Sequence, residues 1–206
     1  MEMSLFLYAV IIISAVFHEY AHGWVAYRLG DSTAKDAGRL TLNPLVHIDI
    51  VGTVLIPLFM ILTAGIFIGW AKPVPYNPNN LKDKKYGSLK VGIAGPVANL
   101  LIAAILGLFL RFAILPFAKI DVISIAFPDL LAYIVYINIF LALFNFIPFP
   151  PLDGSKVFAD LFPKQWRYFT RLGFLGMFFA VIIAFWFLPP IAKFLFWLIT
   201  GIQFGI

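Results

Sequence analysis

The sequence predicts an all-α polytopic membrane protein, and three observations carry that prediction. Hydrophobic residues make up 62% of the 206-residue chain and charged residues only 12%. Mean hydropathy is +0.96. The apolar residues are gathered into long runs separated by polar connectors rich in Pro and Gly, whereas a soluble globule would scatter them. The net charge of +5 comes from Lys and Arg spread through short connectors, with no continuous basic stripe; it points to membrane topology, and no nucleic-acid partner is expected. Cysteine is absent, so disulfides and thiolate metal ligands are excluded, and any zinc site must use His, Asp or Glu.

Taken in order, the first apolar run is Leu5 to Tyr27, long enough to cross a bilayer. Met1 to Ser4 has no basic residue and no small-residue cleavage site follows, so a cleavable secretory signal is not expected. Further runs are Ile50 to Trp70, Val91 to Phe117, Leu130 to Phe149, Leu172 to Leu188 and Ile191 to Ile206. The last two are short and meet at Pro189-Pro190, which predicts a tight helical hairpin in preference to one broken helix. About five to six transmembrane helices are therefore expected. Residues 1–206 form a single membrane domain, with its core at about 5–156 and a carboxy-terminal hairpin or broken helix at about 172–206. No repeat or appended soluble domain is visible.

Ile50 to Trp70 is predicted to dip into the membrane and return. A helix begun near Leu5 has risen about 20 Å by His18 and about 25 Å by His22, across a hydrocarbon core of roughly 30 Å. Asp153, the other strong ligand candidate, also follows the far end of a run. The two helices can share an ion only if they are parallel, which requires an odd number of crossings between them. Charge agrees. With re-entry, one side holds Arg28, Lys35, Arg39, Lys72, Lys82, Lys84, Lys85, Lys90, Lys156, Lys164, Arg167 and Arg171, against Lys119 and Arg111 opposite. Pro57 and Gly65 are the expected bending points, and the segment is expected to line the route to the active site.

The chemistry starts from His18, Glu19 and His22, an H-E-x-x-H string inside the first run. Residues four apart share a helix face, so both imidazoles can reach one metal ion with Glu19 beside it. A chance string is the bland alternative, but three ionisable groups deep in a span are costly and call for a shared function. Glu19 can take a proton from a water that the metal has acidified. Two histidines leave a catalytic zinc one protein ligand short. Asp153 is the leading candidate, since Pro148, Pro150 and Pro151 stop the preceding helix and Gly154 permits a turn; a helix-capping Asp is an equal alternative. Asp49 and His47 are rivals, Asp49 reading first as the edge of the re-entrant segment and His47 as an interfacial residue. Asn145 reads as an interhelical contact combined with a substrate contact. Gly92, Gly95-Pro96 and Asn99 read as close packing and helix-start chemistry, with Asn99 a secondary candidate for the active-site wall. Asn145, Asn99 and His47 are thus candidates for substrate or transition-state contacts.

His18 to His22, Ala94 to Asn99 and Asn145 to Gly154, with Gly38 to Pro44 and Gly69 to Pro75, resemble the site-2 protease family of intramembrane zinc metalloproteases, in its compact prokaryotic branch. The resemblance runs from about His18 to Lys156. It implies a three-helix catalytic core, one Zn2+ held by His18, His22 and Asp153, and Glu19 as general base. It also implies a transmembrane or membrane-anchored protein substrate cleaved within or near the lipid bilayer, in a prokaryotic plasma membrane, with the site open to the cytoplasm. A helical substrate must unwind before hydrolysis, and an exposed backbone edge within residues 50–70 is expected to pair with it as an added strand. A catalytically silent homologue and a transporter using the same three residues as a relay are the competing classes; the lack of two matched halves counts against the transporter.

Overall fold

The computed structural model describes residues 2–64, 69–116, 126–169 and 174–205. Eight α-helices are seen among them: α1 (Glu2–Arg28), α2 (Thr33–Asp36), α3 (Ile56–Ala64), α4 (Gly87–Phe109), α5 (Ala126–Asn145), α6 (Gly154–Leu161), α7 (Pro163–Phe169) and α8 (Phe174–Thr200). Among the described residues, four helices are long and apolar enough to cross a membrane: Met3–Arg28, Gly87–Ile114, Phe127–Asn145 and Val181–Thr200. The all-α polytopic prediction stands. Its six apolar runs yield four long helices for two separate reasons, one at each end of the chain. The residues cluster into two compact units, Met1–Gly95 and Pro96–Ile206.

In the first unit, α1 ends where Gly30 adopts a φ of 104°, a left-handed conformation that glycine takes without strain. Ala26, Leu81 and Val91 form the buried core of this unit. The run from Ile50 does not cross. It begins with a π-helical segment, Ile50–Leu55, capped by the Asp49 carboxylate, which accepts from Gly52 N at 2.7 Å. Pro57 stands where this passes into α3. The chain is back at its starting point by Trp70, whose N–H donates to the Gly52 carbonyl at 3.1 Å. Eighteen residues of straight helix would have separated those two positions by about 27 Å. The Trp70 indole lies over Gly52, where an added Cβ would come within 2.2 Å of the ring. Gly65, the second expected bending point, lies outside the described residues.

Re-entry places the 28–49 and 71–90 connectors together, as the charge pattern predicts. Asp31 accepts from Asn77 N at 2.7 Å and from Asn80 Nδ2 at 2.9 Å. Arg39 Nη2 donates to the Lys72 carbonyl at 2.8 Å, and Lys82 N donates to the Leu29 carbonyl at 2.8 Å. Lys119 and Arg171 of the charge argument lie outside the described residues.

Asp31 is fully buried. Burial pushes its pKa upward, but hydrogen bonds from the Thr33 hydroxyl, Asn77, Asn80 and the Thr33 amide outweigh that and hold it below the ordinary carboxylate value. A depressed carboxylate adds stability above its unfolded pKa, and that stability disappears as pH falls through the folded value. Thermal unfolding is therefore expected to lose an increment below about pH 4. Asp31→Asn is expected to cost about 1–3 kcal/mol at neutral pH, because an amide nitrogen then faces a donor. The acid-dependent loss is expected to shrink in the same variant. Equal unfolding temperatures for wild type and variant at pH 7 would remove Asp31 as the connector clasp.

In the second unit, Val135 and Ile139 of α5 pack with Ala192 and Phe196 of α8 and with Ala103 of α4 in one buried cluster. Ile147, Phe149, Ala184 and Leu188 form a second cluster. The structure corrects the hairpin expected at Pro189-Pro190: α8 runs through both prolines. Each proline lacks an N–H and so removes one helical hydrogen bond, from the carbonyls of Phe185 and Trp186. Ala184, Leu188, Ala192, Phe196 and Thr200 nevertheless recur every fourth residue on one buried stripe. Bending at 189 would tear that stripe from its partners, so packing holds the helix continuous.

Candidate metal and catalytic centre

His18 and His22 are both buried on α1, one turn apart. Their Nε2 atoms converge to 3.0 Å. His22 Nδ1 lies 2.6 Å from the Val91 carbonyl. A carbonyl only accepts, so Nδ1 carries a proton and Nε2 is the nitrogen left to face a metal ion. Two nitrogens on one tetrahedral zinc sit about 3.3 Å apart, close to the separation seen.

Gly95 on α4 makes the space for this pair. A Cβ there would stand 2.4 Å from His22 Nε2 and 2.5 Å from His18 Nε2. The missing side chain thus leaves room beside the two coordinating atoms. Gly95-Pro96 lies well inside α4, which starts at Gly87, so the helix-start reading of this pair is corrected. The close-packing reading holds, with imidazoles as the neighbours. A divalent, nitrogen-preferring ion fits this donor set: two convergent ring nitrogens, one ring with its tautomer set by a carbonyl, and a cradle a methyl group would fill.

Glu19 projects from the same turn, and its Oε2 accepts from the Val74 N–H at 2.7 Å. That contact comes from the loop after the re-entrant segment. A backbone donor leaves no side-chain signature, so it could not be read from the sequence.

The other candidates separate. Asp49 is spent on Gly52 and caps the re-entrant segment. His47 is buried within the protein, with its Nε2 2.8 Å from the Thr41 carbonyl. Its Nδ1 is buried without a partner. Asn145 donates from Nδ2 to Leu141 in its own helix at 3.0 Å, which corrects the interhelical contact expected of it. Asn99 is fully buried, and neither side-chain atom has a partner. That leaves Asn99 as an amide available to a ligand.

In the second unit, Asp153 is buried at the N-cap position of α6, yet its side chain makes no capping bond. The capping alternative for this residue therefore fails. Oδ1 is paired with Lys156 Nζ at 2.8 Å. Gly154 is required there because an added Cβ would stand 2.2 Å from the Phe146 carbonyl oxygen.

A paired-imidazole motif with an adjacent acid, carried on a helix long enough to span a bilayer, defines an integral membrane protein of the metallopeptidase class. The model of peptidase family M50 matches residues 113–188, a stretch that includes Asp153. The chain is 38% identical over 200 residues to the Bacillus subtilis protein named "Putative zinc metalloprotease YwhC", covering 95% of this chain and 86% of that one. It is 30% identical over 144 residues to "Putative zinc metalloprotease Rip2" of Mycolicibacterium smegmatis, covering 69% of this chain and 52% of that protein. A zinc metalloprotease of Methanocaldococcus jannaschii is 24% identical over 162 residues, covering 79% and 36%. No solved structure gives a significant match. The chain belongs to peptidase family M50, the site-2 protease family.

Proposed function

We propose that this protein is an intramembrane zinc endopeptidase that cleaves a peptide bond within or near the transmembrane segment of a membrane protein. His18, His22 and Asp153 hold one zinc ion, and Glu19 is the general base. The observation that carries this reading is the convergence of two Nε2 atoms at 3.0 Å beside side-chain-free Gly95, on a membrane-length helix. For Asp153, the support is a buried carboxylate at a helix N-cap that does no capping. With Ile50 to Trp70 turned back, α4 is, among the described residues, the one long helix between α1 and α5 in chain order, which is what the odd-crossing argument asks for.

Held by these residues, zinc would supply Lewis-acid chemistry, polarising the scissile carbonyl and acidifying a water molecule. Glu19 Oε1 is the oxygen left to accept that water's proton and pass it to the departing amine, since Oε2 is held by Val74. Asn99 is the candidate for hydrogen-bonding the unwound substrate backbone, a reading supported by its burial with both polar atoms unpartnered. Of the substrate-pairing edge expected in residues 50–70, Ile50–Ala64 is helical and does not offer an extended strand, while residues 65–68 lie outside the described residues. Access from the cytoplasmic side follows from the basic residues carried on the two bonded connectors.

The test is cleavage of a membrane-spanning peptide by purified protein in detergent, with product masses locating the cut. Treatment with a zinc chelator is expected to abolish cleavage and added zinc to restore it. Chelator-resistant cleavage would refute the metal, and proton-coupled metal flux in vesicles without cleavage would favour the relay.

A further inference from the structure

Between the re-entrant segment and Glu19 runs an extended strap, residues 69–77, tied along its length. At one end, Trp70 N donates to the Gly52 carbonyl at 3.1 Å, while the Trp70 carbonyl accepts from Thr53 Oγ1 at 2.9 Å. Thr53 is buried, and its hydroxyl also accepts from Asp49 N at 3.0 Å. The Thr53 carbonyl accepts from the Tyr8 hydroxyl of α1. Next along the strap, Lys72 N donates to the His47 carbonyl at 2.9 Å. Then comes Val74, flanked by Pro73 and Pro75, which have no N–H to offer and restrict the chain to an extended path. Val74 N is the donor to Glu19.

The side chain of Val74 fixes the register. It is buried, and a Cβ added to Gly23 would meet Val74 Cγ1 at 2.9 Å. Glycine at 23 therefore lets the strap lie directly on α1, one turn beyond Glu19.

We propose that Val74 is a positioning residue for the general base and that the strap couples it to the re-entrant segment. The Val74 amide holds Oε2, so Glu19 keeps one orientation and turns Oε1 toward the reacting water. The Thr53 clasp carries the position of the re-entrant segment along four residues to that amide. A substrate that displaces the segment on entry is thereby felt at the base. This rests on the reading of Glu19 as base.

Val74→Pro deletes the donor, and Thr53→Val deletes the hydroxyl clasp at nearly constant shape. Both are expected to keep wild-type zinc content and a KM within about threefold, and to lower kcat by about tenfold or more for Val74→Pro and several-fold for Thr53→Val. Thr53→Ser is expected to restore kcat, which a packing role for Thr53 would not predict. Unchanged kcat in Thr53→Val, or a loss confined to KM or zinc content, would overturn the coupling. That pair decides the matter even if Val74→Pro does not fold. The contact itself has an activity-free readout: amide hydrogen exchange at Val74 is expected to accelerate about tenfold in Glu19→Ala. No acceleration would overturn the positioning role, whereas full cleavage by Glu19→Gln would instead overturn the assignment of Glu19 as base.

Discussion

Glu19→Gln is expected to retain its zinc and lose cleavage of a membrane peptide by about a thousandfold or more. The reason is that glutamine preserves the shape of the side chain and can still accept from Val74 N through its amide oxygen, so the histidines one residue before and three after are undisturbed. What disappears is the group that takes the proton. General-base assistance alone contributes about 10²–10⁴ in rate, and a peptide bond freed from a helix has no other base among His18, His22 and the Gly95 cradle. Zinc content measured by atomic absorption, beside cleavage rates at saturating substrate, separates the two roles. Cleavage equal to wild type would remove Glu19 from the chemistry.

Gly95→Ala is expected to give the opposite pattern, with zinc and activity lost together. Its Cβ would come within 2.4 Å of His22 Nε2 and within 2.5–2.6 Å of two His18 ring atoms. Carbon and nitrogen in ordinary contact stand about 3.4 Å or more apart, so something must move. His22 cannot retreat freely, because its Nδ1 is anchored at 2.6 Å to the Val91 carbonyl. His18 rotating away would open the 3.0 Å approach of the two nitrogens. Disturbing groups that orient metal-bound histidines costs about 10–100-fold in metal affinity, and a methyl intruding beside the coordinating atoms is expected to exceed that range. Zinc affinity measured by chelator competition checks this. A Gly95→Ala protein with wild-type zinc affinity would show that the space beside the imidazoles is not where metal is held.

Legibility differs from residue to residue. His18, Glu19 and His22 were readable because helical spacing is a local property, and their cost in hydrocarbon made coincidence implausible. The return of Ile50 to Trp70 was readable from the charges of connectors far from it, and the Gly52–Trp70 bond agrees. Asp49 as the cap of that segment was readable from its place at the segment's edge. Pro189-Pro190 misled, because local propensity marks a break there while the buried stripe Ala184, Leu188, Ala192, Phe196 crosses it. That stripe was present in the sequence as a four-residue spacing, but an apolar run in a membrane helix hides its own periodicity. The burial of His47 was not legible, because nothing local distinguishes an imidazole packed inside the protein from an exposed one.

The sequence by itself determined the solvent the protein lives in, the helical class, the candidate metal-binding pair with its acid, and the resemblance to the family. Each of these depends on composition, on spacing along one element, or on the order of short motifs along the chain. Only the tertiary structure decided that Gly95 clears room at the imidazoles, that the Val91 carbonyl sets the His22 tautomer, and that the Val74 amide holds Glu19. Those contacts join atoms 55 to 77 residues apart along the chain. Two of them use backbone atoms that every residue possesses, and the third depends on a side chain that is missing. The two backbone contacts have no signature in residue type, and a glycine signals close packing without saying against what, so packing alone settles where they meet.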